Sequence, residues 1–419
     1  MSATEQVPTD PYLSNEFITD PVGVIDRMRE EDPVHLIPGI NAWMVTRWKD
    51  VRELFTHPST TNDRRAYENY RLPPEGSAAR WFAENSLFAV EPDRHARMRN
   101  LVSAALTPRA VKRMEGQVRE VVEQFARKLR GRTGVVDVMA EFTEPIPNTV
   151  IGRISGIPQK GDDEYRWRQL GRDSVRGINP FLSPEERKRS EDALAEICDW
   201  VRAIAGERRK QPQEDIISDL VQVTHEDDRM TIDEIVLVVA ALVAAGTETT
   251  TIASTRGIRA LLQHPDQMKR LREDPELMPN AVDELLRWDF GSVGLPRYAA
   301  EDFEFRGKPI KKGQLLMLNM MGAHRDPSVF PNPNSLDLAR DTKALTIFGH
   351  GPHYCLGANL ARQELRCMYE AALDFLPEDA RLLEDQIQWS RVVMFTGIES
   401  LPVEFGDSRG VQGATTRSR

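Results

Sequence analysis

The chain has 419 residues, of which 40% are hydrophobic and 29% are charged, a balance that is ordinary for a globular protein and excludes collagenous and disordered classes. A formal net charge of -10 gives no support to a nucleic-acid partner. Three cysteines are too few for a disulfide framework, which suits a reducing cytoplasm. The first residues are polar and acidic, so we expect neither a signal peptide nor a membrane anchor.

The first predicted elements are short. Apolar spacing predicts a helix over Asp20–Glu31. Two apolar runs on either side of Pro38-Gly39 predict a β-hairpin with strands Val34–Ile37 and Ala42–Thr46. The stretch Trp81–Val90 is rich in aromatic and apolar side chains without a clean period, so the residues alone predict a buried loop.

The next segment places His95 and Arg99 four residues apart, on one helical face. By itself such a pair is usually part of a solvated surface. The elements expected after it are a helix over Arg109–Leu129, a strand over Val135–Met139, a buried helix over Phe142–Ile154, a polar mobile region over Gln159–Ile178 and a helix that starts at Ser183.

A long central helix begins at Thr231, which forms a capping-box pattern with Glu234. Its first half, IVLVVAALVAAG, is apolar for twelve residues, too short a run to span a bilayer. The helical pattern continues to about Leu262, which gives a rod of roughly 46 Å. Because the first half is apolar on all sides, the helix must pass through the centre of the protein.

Poor helix formers interrupt this pattern in the middle, where the sequence reads Gly246-Thr247-Glu248-Thr249-Thr250-Thr251. One explanation is that the threonine hydroxyls bond to carbonyls one turn earlier and only bend the helix. The other is that the helix opens locally beside a ligand. The residues by themselves leave both explanations open.

The later elements include a helix over Leu277–Trp288, in which Glu284 and Arg287 form an i,i+3 pair that on a surface contributes about 0.2–0.5 kcal/mol. The remaining expectations are strands at Phe303–Phe305 and Leu315–Asn319, a proline-broken loop over Ala323–Arg340, a helix over Ala358–Phe375 and late strands within Trp389–Phe405.

The stretch FGHGPHYCLGANLAR, from Phe348 to Arg362, is the strongest chemical signal. It places Cys355 between a glycine-rich loop and a helix start, where the helix dipole favours a thiolate. A thiolate serves as a nucleophile or as a metal ligand, and His350 and His353 lack an obvious carboxylate to orient them as a base. A zinc site would need Cys367, which is roughly 18 Å away along the helix.

FGHGPHYCLG resembles the cysteine-ligand loop of the cytochrome P-450 haem-thiolate monooxygenases, whose pattern is Phe, Gly, any, Gly, any, His, any, Cys, any, Gly. Every fixed position is present. The family patterns in the central helix, in the His95 and Arg99 helix, in Glu284-x-x-Arg287 and at Arg297 occur in the family order. The resemblance covers residues 20–405 and implies a mainly α fold with small β-sheets and a long central helix crossing the haem.

The resemblance also implies the domain limits and the roles of individual residues. Residues 20–405 would form a single domain after a flexible segment over 1–19, and the polar character of residues 406–419 predicts a disordered tail. The cofactor would be haem b, with Cys355 as the iron ligand. The implied contacts are propionate binding by His95, Arg99, Arg297 and His353, packing of Phe348 beside the sulfur, the loop glycine Gly357, a dioxygen groove at Ala245 and Gly246, and proton delivery by Glu248 and Thr249.

The implied activity is insertion of one oxygen atom of O2 into an apolar organic substrate, such as C–H hydroxylation. Electrons would come from a separate ferredoxin or flavodoxin with its reductase, and the enzyme would be a cytoplasmic monomer with no membrane and no nucleic-acid partner. A peroxide-driven oxidant and a non-catalytic haem sensor or carrier are alternatives, which the Glu248-Thr249 pair disfavours. The substrate pocket is expected to contain Phe82, Leu87, Phe88, Ala241, Val293, Leu295, Val393 and Phe395.

Basic residues flank the cysteine loop and the His95 helix, and two interpretations of them are open. They could dock an acidic electron carrier, or they could be solvated surface. The residues concerned are Arg97, Arg109, Lys112, Arg113, Arg362 and Arg366.

Overall fold

The structure is a computed structural model that describes residues 10–14, 16–17, 20–88, 90, 92–157, 161–177, 182–225, 228–291, 294–391 and 396–406. In these ranges the chain is mainly helical with small β-sheets, which confirms the predicted fold class. It forms two compact units, the first from Met1–Leu72, Ser292–Leu336 and Asp341–Cys355, and the second from Pro73–Gly291, Asp337–Arg340 and Leu356–Arg419. The single domain over 20–405 and the flexible ends stay predictions.

The helices of the described residues are α1 (Pro21–Glu31), α2 (Trp48–Leu54), α3 (Ala78–Asn85), α4 (Pro92–Ala105), α5 (Pro108–Ala126), α6 (Pro145–Ile154), α7 (Asp162–Arg176), α8 (Pro184–Arg208), α9 (Ile216–Gln222), α10 (Ile232–Gln263), α11 (Pro265–Glu273), α12 (Met278–Trp288), α13 (Met320–His324) and α14 (Ala358–Phe375).

The strands are β1 (Val34–Ile37), β2 (Ala42–Val45), β3 (Thr60–Thr61), β4 (Gly134–Asp137), β5 (Thr224–His225), β6 (Asp228–Arg229), β7 (Leu295–Ala299), β8 (Phe303–Phe305), β9 (Lys308–Ile310), β10 (Leu315–Leu318), β11 (Arg381–Leu382), β12 (Gln388–Arg391), β13 (Thr396–Ser400) and β14 (Pro402–Phe405).

The first unit contains a five-stranded sheet in the order β1-β2-β10-β7-β3. The predicted hairpin is confirmed, since β1 and β2 pair antiparallel with Val34 opposite Val45. Asn41, at the end of the connection, adopts a left-handed conformation with φ of 49°, which Asn tolerates better than most residues. β10 then pairs parallel to β2, and β7 pairs antiparallel to β10. This register puts Arg297 of β7 opposite Leu316 in the middle of the sheet.

The second unit is built around α10, which packs against α6, α7, α8 and α14. Both capping-box hydrogen bonds between Thr231 and Glu234 are present, as the sequence predicts. Tyr369 of α14 is fully buried and donates its hydroxyl to the Ala253 carbonyl at 3.0 Å. α10 and α14 approach closely there, because a Cβ on Gly257 would lie 2.0 Å from the Tyr369 hydroxyl oxygen.

In the part of the chain that the structure describes, α10 is the one helix whose length and composition would suffice to cross a membrane. However, 56% of its most apolar 18-residue window is buried inside the protein. A core helix of a globular protein has this same property, since its apolar faces pack against other helices.

One predicted loop is wrong, and a helix that the sequence did not predict lies in the polar region expected to be mobile. The stretch expected as a buried loop from Trp81 contains most of α3, which the Ser77 side chain caps by accepting from the Arg80 N–H. The polar region expected to be mobile contains α7. Trp167 anchors this helix, because it is fully buried and its indole N–H donates to the Asn148 carbonyl at 3.0 Å. In both segments tertiary packing outweighs a weak local pattern.

The predicted helix over Phe142–Ile154 is correct only in its second part. Residues Met139–Thr143 form a π turn, and α6 begins at Pro145. Proline fits the first turn of a helix, where its missing N–H would have no intrahelical partner.

Candidate functional site

Backbone contacts fix the conformation of the cysteine loop, which carries Cys355 of the first unit. The Cys355 N–H donates to the Phe348 carbonyl at 2.7 Å, which closes the loop on itself. His353 ends a short 3-10 turn, and the Phe348 ring lies 6.3 Å from the Tyr354 ring, between centroids. Cys355 is exposed. The loop therefore fixes the backbone of a cysteine whose side chain is accessible.

Two glycines in this loop are required by its shape. Gly349 and Gly351 both have φ of +77°, a region that other residues enter only with strain. A Cβ on Gly351 would also lie 2.3 Å from Cγ2 of Thr56. Gly357 differs, because a Cβ there would meet no atom within 4 Å in the described part of the chain.

Arg297 is a buried cation of the first unit, with 6% of its surface exposed. Its guanidinium lies over the Phe55 ring at 4.8 Å and donates to the Pro296 carbonyl at 2.9 Å. No carboxylate of the described residues lies within ion-pair distance, and burial lowers the pKa of Arg297 to about 10. A buried cation of this kind calls for an anion, since its desolvation is otherwise uncompensated.

His95 and Arg99 lie one turn apart on α4, in the second unit. His95 is buried. Burial and the neighbouring Arg99 charge both lower its pKa. An anion beside the two side chains would relieve this repulsion.

The threonine-rich part of α10 is helical without interruption. The Thr249 hydroxyl donates to the Ala245 carbonyl at 2.5 Å, and the Thr251 hydroxyl donates to the Thr247 carbonyl at 3.0 Å. Bonding of hydroxyls one turn back, the first of the two explanations, is therefore what the structure shows. Such bonds compete with the helical ladder and commonly bend helices.

Thr247, Gly246 and Glu248 of the same stretch have different surroundings. The Thr247 hydroxyl is buried and has no hydrogen-bond partner among the described residues. A Cβ on Gly246 would lie 2.8 Å from Cδ1 of Ile151 in α6, which explains the small residue. Burial raises the pKa of Glu248, so this carboxyl keeps its proton to a higher pH than an exposed glutamate does.

The Glu284 and Arg287 pair is fully buried, with two N···O distances of 2.7 and 2.9 Å. The local sequence does not indicate its other partners, which come from the short segment Asp337–Arg340 of the same unit. The Arg340 Nε lies 3.1 Å from Glu284, and the Asp337 N–H donates to the same carboxylate at 3.1 Å. The pair belongs to a buried structural cluster of the second unit.

The residues expected to line the substrate pocket are distributed over both units. In the second unit Ala241 is buried, Phe82 and Leu87 are half-buried and Phe88 is 44% exposed. Leu295 is half-buried in the first unit. Val293, Val393 and Phe395 lie outside the described residues.

The candidate site residues thus form one set in each unit. Cys355, His353 and Arg297 belong to the first unit, and the α4 and α10 residues belong to the second. Phe55 and Thr56, which support Arg297 and Gly351, have no sequence signal that could have identified them. Within the described ranges no group of three His, Cys, Asp or Glu side chains could hold a metal ion.

These observations fit a haem group, which is a macrocycle with one iron and two propionates. An accessible cysteine on a fixed loop is a suitable axial ligand. The buried Arg297 guanidinium, which has no carboxylate partner among the described residues, is suited to bind a propionate carboxylate. The His95–Arg99 pair of the second unit is suited to the same role.

Comparisons with known proteins agree with this fit. A sequence model of the family described as Cytochrome P450 matches residues 42–374. The polyketide biosynthesis cytochrome P450 PksS of Bacillus subtilis (strain 168) is 32% identical over 400 residues, which cover 93% of this chain and 96% of that protein. The vitamin D(3) 25-hydroxylase of Pseudonocardia autotrophica is 32% identical over 401 residues, which cover 94% of this chain and 96% of that protein.

A solved structure is similar over nearly the same length. The structure of Bacillus subtilis 168 PksS has a TM-score of 0.83 and 32% sequence identity, and the match covers 95% of this chain and 99% of that chain.

Proposed function

Because this chain belongs to the cytochrome P450 family and is a monooxygenase that oxidises organic substrates, we propose that it uses haem b with Cys355 as the axial thiolate. The observation that carries the assignment is the exposed Cys355 on a loop closed by its own N–H and by two left-handed glycines. Haem, when bound, supplies the activation of dioxygen from which one oxygen atom enters a C–H or C=C bond.

The proposed propionate ligands are Arg297 and His353 of the first unit and His95 and Arg99 of the second. Arg297 supports this role most directly, because it is buried and pairs with no carboxylate of the described residues. Phe348 would pack beside the sulfur, and Gly357 would keep the loop close to the ring. Ala245 and Gly246 of α10 would leave room for dioxygen.

Glu248 and Thr249 would deliver protons during the reaction. The Glu248 side chain is half-buried, and burial raises its pKa, so this carboxyl keeps its proton to a higher pH than an exposed glutamate and can release it from a carboxyl oxygen. The Thr249 hydroxyl now donates to the Ala245 carbonyl. Thr249 can therefore accept a hydrogen bond as it stands, and it must break the bond to Ala245 before it can donate to a ligand.

The proposed substrate is a large apolar molecule. The two relatives are named for polyketide biosynthesis and for hydroxylation of vitamin D(3), and the described pocket candidates are apolar. We expect contacts from Phe82, Leu87, Phe88, Ala241 and Leu295, together with Val293, Val393 and Phe395.

The proposed electron donor is a ferredoxin or flavodoxin with its reductase, acting on a cytoplasmic monomer. The basic residues suggested for docking are mostly engaged within the protein. Arg97 pairs with Glu234 at 2.7 Å, Arg113 with Asp219 at 3.2 Å and Arg362 with Asp283 at 2.7 Å. A carrier would therefore have to compete with these internal carboxylates, which favours a weak, transient complex.

The assignment is tested by the absorption spectrum of the reduced protein with carbon monoxide. Thiolate ligation places the Soret band at long wavelength, and Cys355→Ser is expected to abolish that band. Cys198→Ser is the matched control, since Cys198 is buried in α8 and should leave the band unchanged. A long-wavelength band that persists in Cys355→Ser would contradict the proposed ligand.

A further inference from the structure

A polar cavity lies within the second unit and contains none of the residues assigned above. It has a volume of about 510 Å³ and is lined by Arg208, Arg209, Val221, Gln222, Arg229 and Met230. These residues come from the end of α8 and the residue after it, from α9, from β6 and from Met230, which follows β6. Three of the six lining residues are arginines, although the chain as a whole carries a net charge of -10.

Arg208 is the lining residue whose side chain is held in place by internal hydrogen bonds. It is 8% exposed, its Nε donates to Asp215 at 2.6 Å, and a second N–H donates to the Gly156 carbonyl at 3.3 Å. Asp215 is itself held, because it accepts from the Ser218 N–H at 2.7 Å. The charge of Arg208 is therefore compensated and its guanidinium is fixed in place.

Arg209 and Arg229 are the exposed arginines of this cavity. Arg209 donates one N–H to the Met230 carbonyl at 3.3 Å. Asp228, the acidic neighbour of Arg229 in the chain, is bound by the Arg97 guanidinium. Neither Arg209 nor Arg229 has a carboxylate at ion-pair distance in the described ranges. Each guanidinium has five N–H groups, so most of the donors on these two side chains remain available.

We propose that this cavity binds a small phosphate-bearing polyanion, such as pyrophosphate or an organic phosphate. Guanidinium groups bind phosphate oxygens through paired N–H groups, and two such groups at one cavity select for more than one negative charge. The volume is within the range of small-molecule sites and exceeds what inorganic phosphate alone would fill. A bound polyanion would connect α8 to Met230, which directly precedes the Thr231 cap of α10.

The test is titration of the haem-loaded, full-length protein with pyrophosphate and with inorganic phosphate, by calorimetry and by thermal unfolding. We expect saturable binding, tighter for pyrophosphate, and a Tm that rises with ligand concentration at constant ionic strength. Arg209→Gln/Arg229→Gln should weaken binding at least tenfold. Arg127→Gln/Arg189→Gln removes two exposed arginines that do not line the cavity and should leave binding unchanged.

Several results would overturn the proposal. One is a Tm rise that sodium chloride of equal ionic strength reproduces, and another is binding that both double variants retain. A third concerns Glu226 and Asp227, which lie outside the described residues. If phosphates bind only to Glu226→Gln/Asp227→Asn, the partners of the arginines are the chain's own carboxylates and the proposal is wrong.

Vesicles that contain phosphatidic acid distinguish a free phosphate from a lipid headgroup as the ligand. If the wild type sediments with these vesicles and Arg209→Gln/Arg229→Gln does not, the bound phosphate belongs to a lipid headgroup.

Discussion

Glu364 is a buried carboxyl that the proposed chemistry does not use. It lies on α14 with 2% of its surface exposed, and its Oε1 has no hydrogen-bond partner in the described part of the chain. Burial raises its pKa from 4.5 to about 8. The folded protein therefore holds this proton at neutral pH, while the unfolded chain releases it.

This difference predicts a pH dependence of stability. Between pH 4.5 and about 8 the unfolded state is ionised at Glu364 and the folded state is protonated, so the free energy of unfolding falls as the pH rises through this window. Glu364→Gln cannot ionise and should lose less stability. At pH 8 we expect it to be more stable than the wild type by roughly 2–5 kcal/mol, and at pH 4.5 nearly equal.

Urea unfolding of both proteins across this pH range measures the effect. Glu75→Gln is the control, because Glu75 is exposed and its substitution should not alter the pH profile. Parallel profiles for Glu364→Gln and the wild type would show that Glu364 is ionised in the folded state or finds a partner there.

At the same scale, the sequence predicts the residues that carry chemistry better than those that support them. Cys355 and Arg297 follow from motif positions. Phe55, whose ring lies under the Arg297 guanidinium, and Arg340, which reaches the Glu284 carboxylate, could not be predicted. Their partners are distant in the sequence, and no local pattern encodes such contacts.

Among the secondary-structure elements, the close approach of α10 and α14 makes Gly257 a test of packing. Alanine favours a helix over glycine by about 1 kcal/mol, but a Cβ at Gly257 would lie 2.0 Å from the hydroxyl oxygen of the fully buried Tyr369. We expect Gly257→Ala to lower the free energy of unfolding by about 1–3 kcal/mol, because the close contact outweighs the propensity.

Gly116→Ala is the matched control. Gly116 also lies inside a helix, α5, but a Cβ there meets no atom within 4 Å among the described residues. This variant should gain about 0.5–1 kcal/mol in thermal or urea unfolding. If both substitutions stabilise the protein, the contact between Gly257 and Tyr369 is looser than the structure indicates.

Elements with local signals are predicted well, and long-range pairings are not. The helix start at Ser183, the capping box at Thr231 and the hairpin of β1 and β2 are confirmed. The parallel pairing of β2 with β10 joins Ala42 to Leu315, and no periodicity within either segment indicates it. The same limit explains why α3 and α7 are missed, since packing with distant helices stabilises them.

For the whole molecule, the division into two units follows no boundary visible in the chain. Each unit is assembled from separated stretches, and the four residues Asp337–Arg340 belong to the second unit although the residues on both sides belong to the first. Proline- and glycine-rich segments indicate turns, not membership of a unit. The stability of the second unit therefore depends on the contacts that hold such short segments in it.

The buried cluster of Glu284, Arg287 and Arg340 holds this segment, so we expect the folding of the second unit to depend on it. Glu284→Gln removes the buried carboxylate that binds both the Arg287 and the Arg340 guanidinium and should lower the free energy of unfolding by about 3–5 kcal/mol. Glu284→Leu/Arg287→Met/Arg340→Met removes all three charges and should recover at least half of this loss. Urea unfolding of the three proteins measures both effects. If the triple variant is less stable than Glu284→Gln, the charges contribute net attraction beyond the cost of their desolvation.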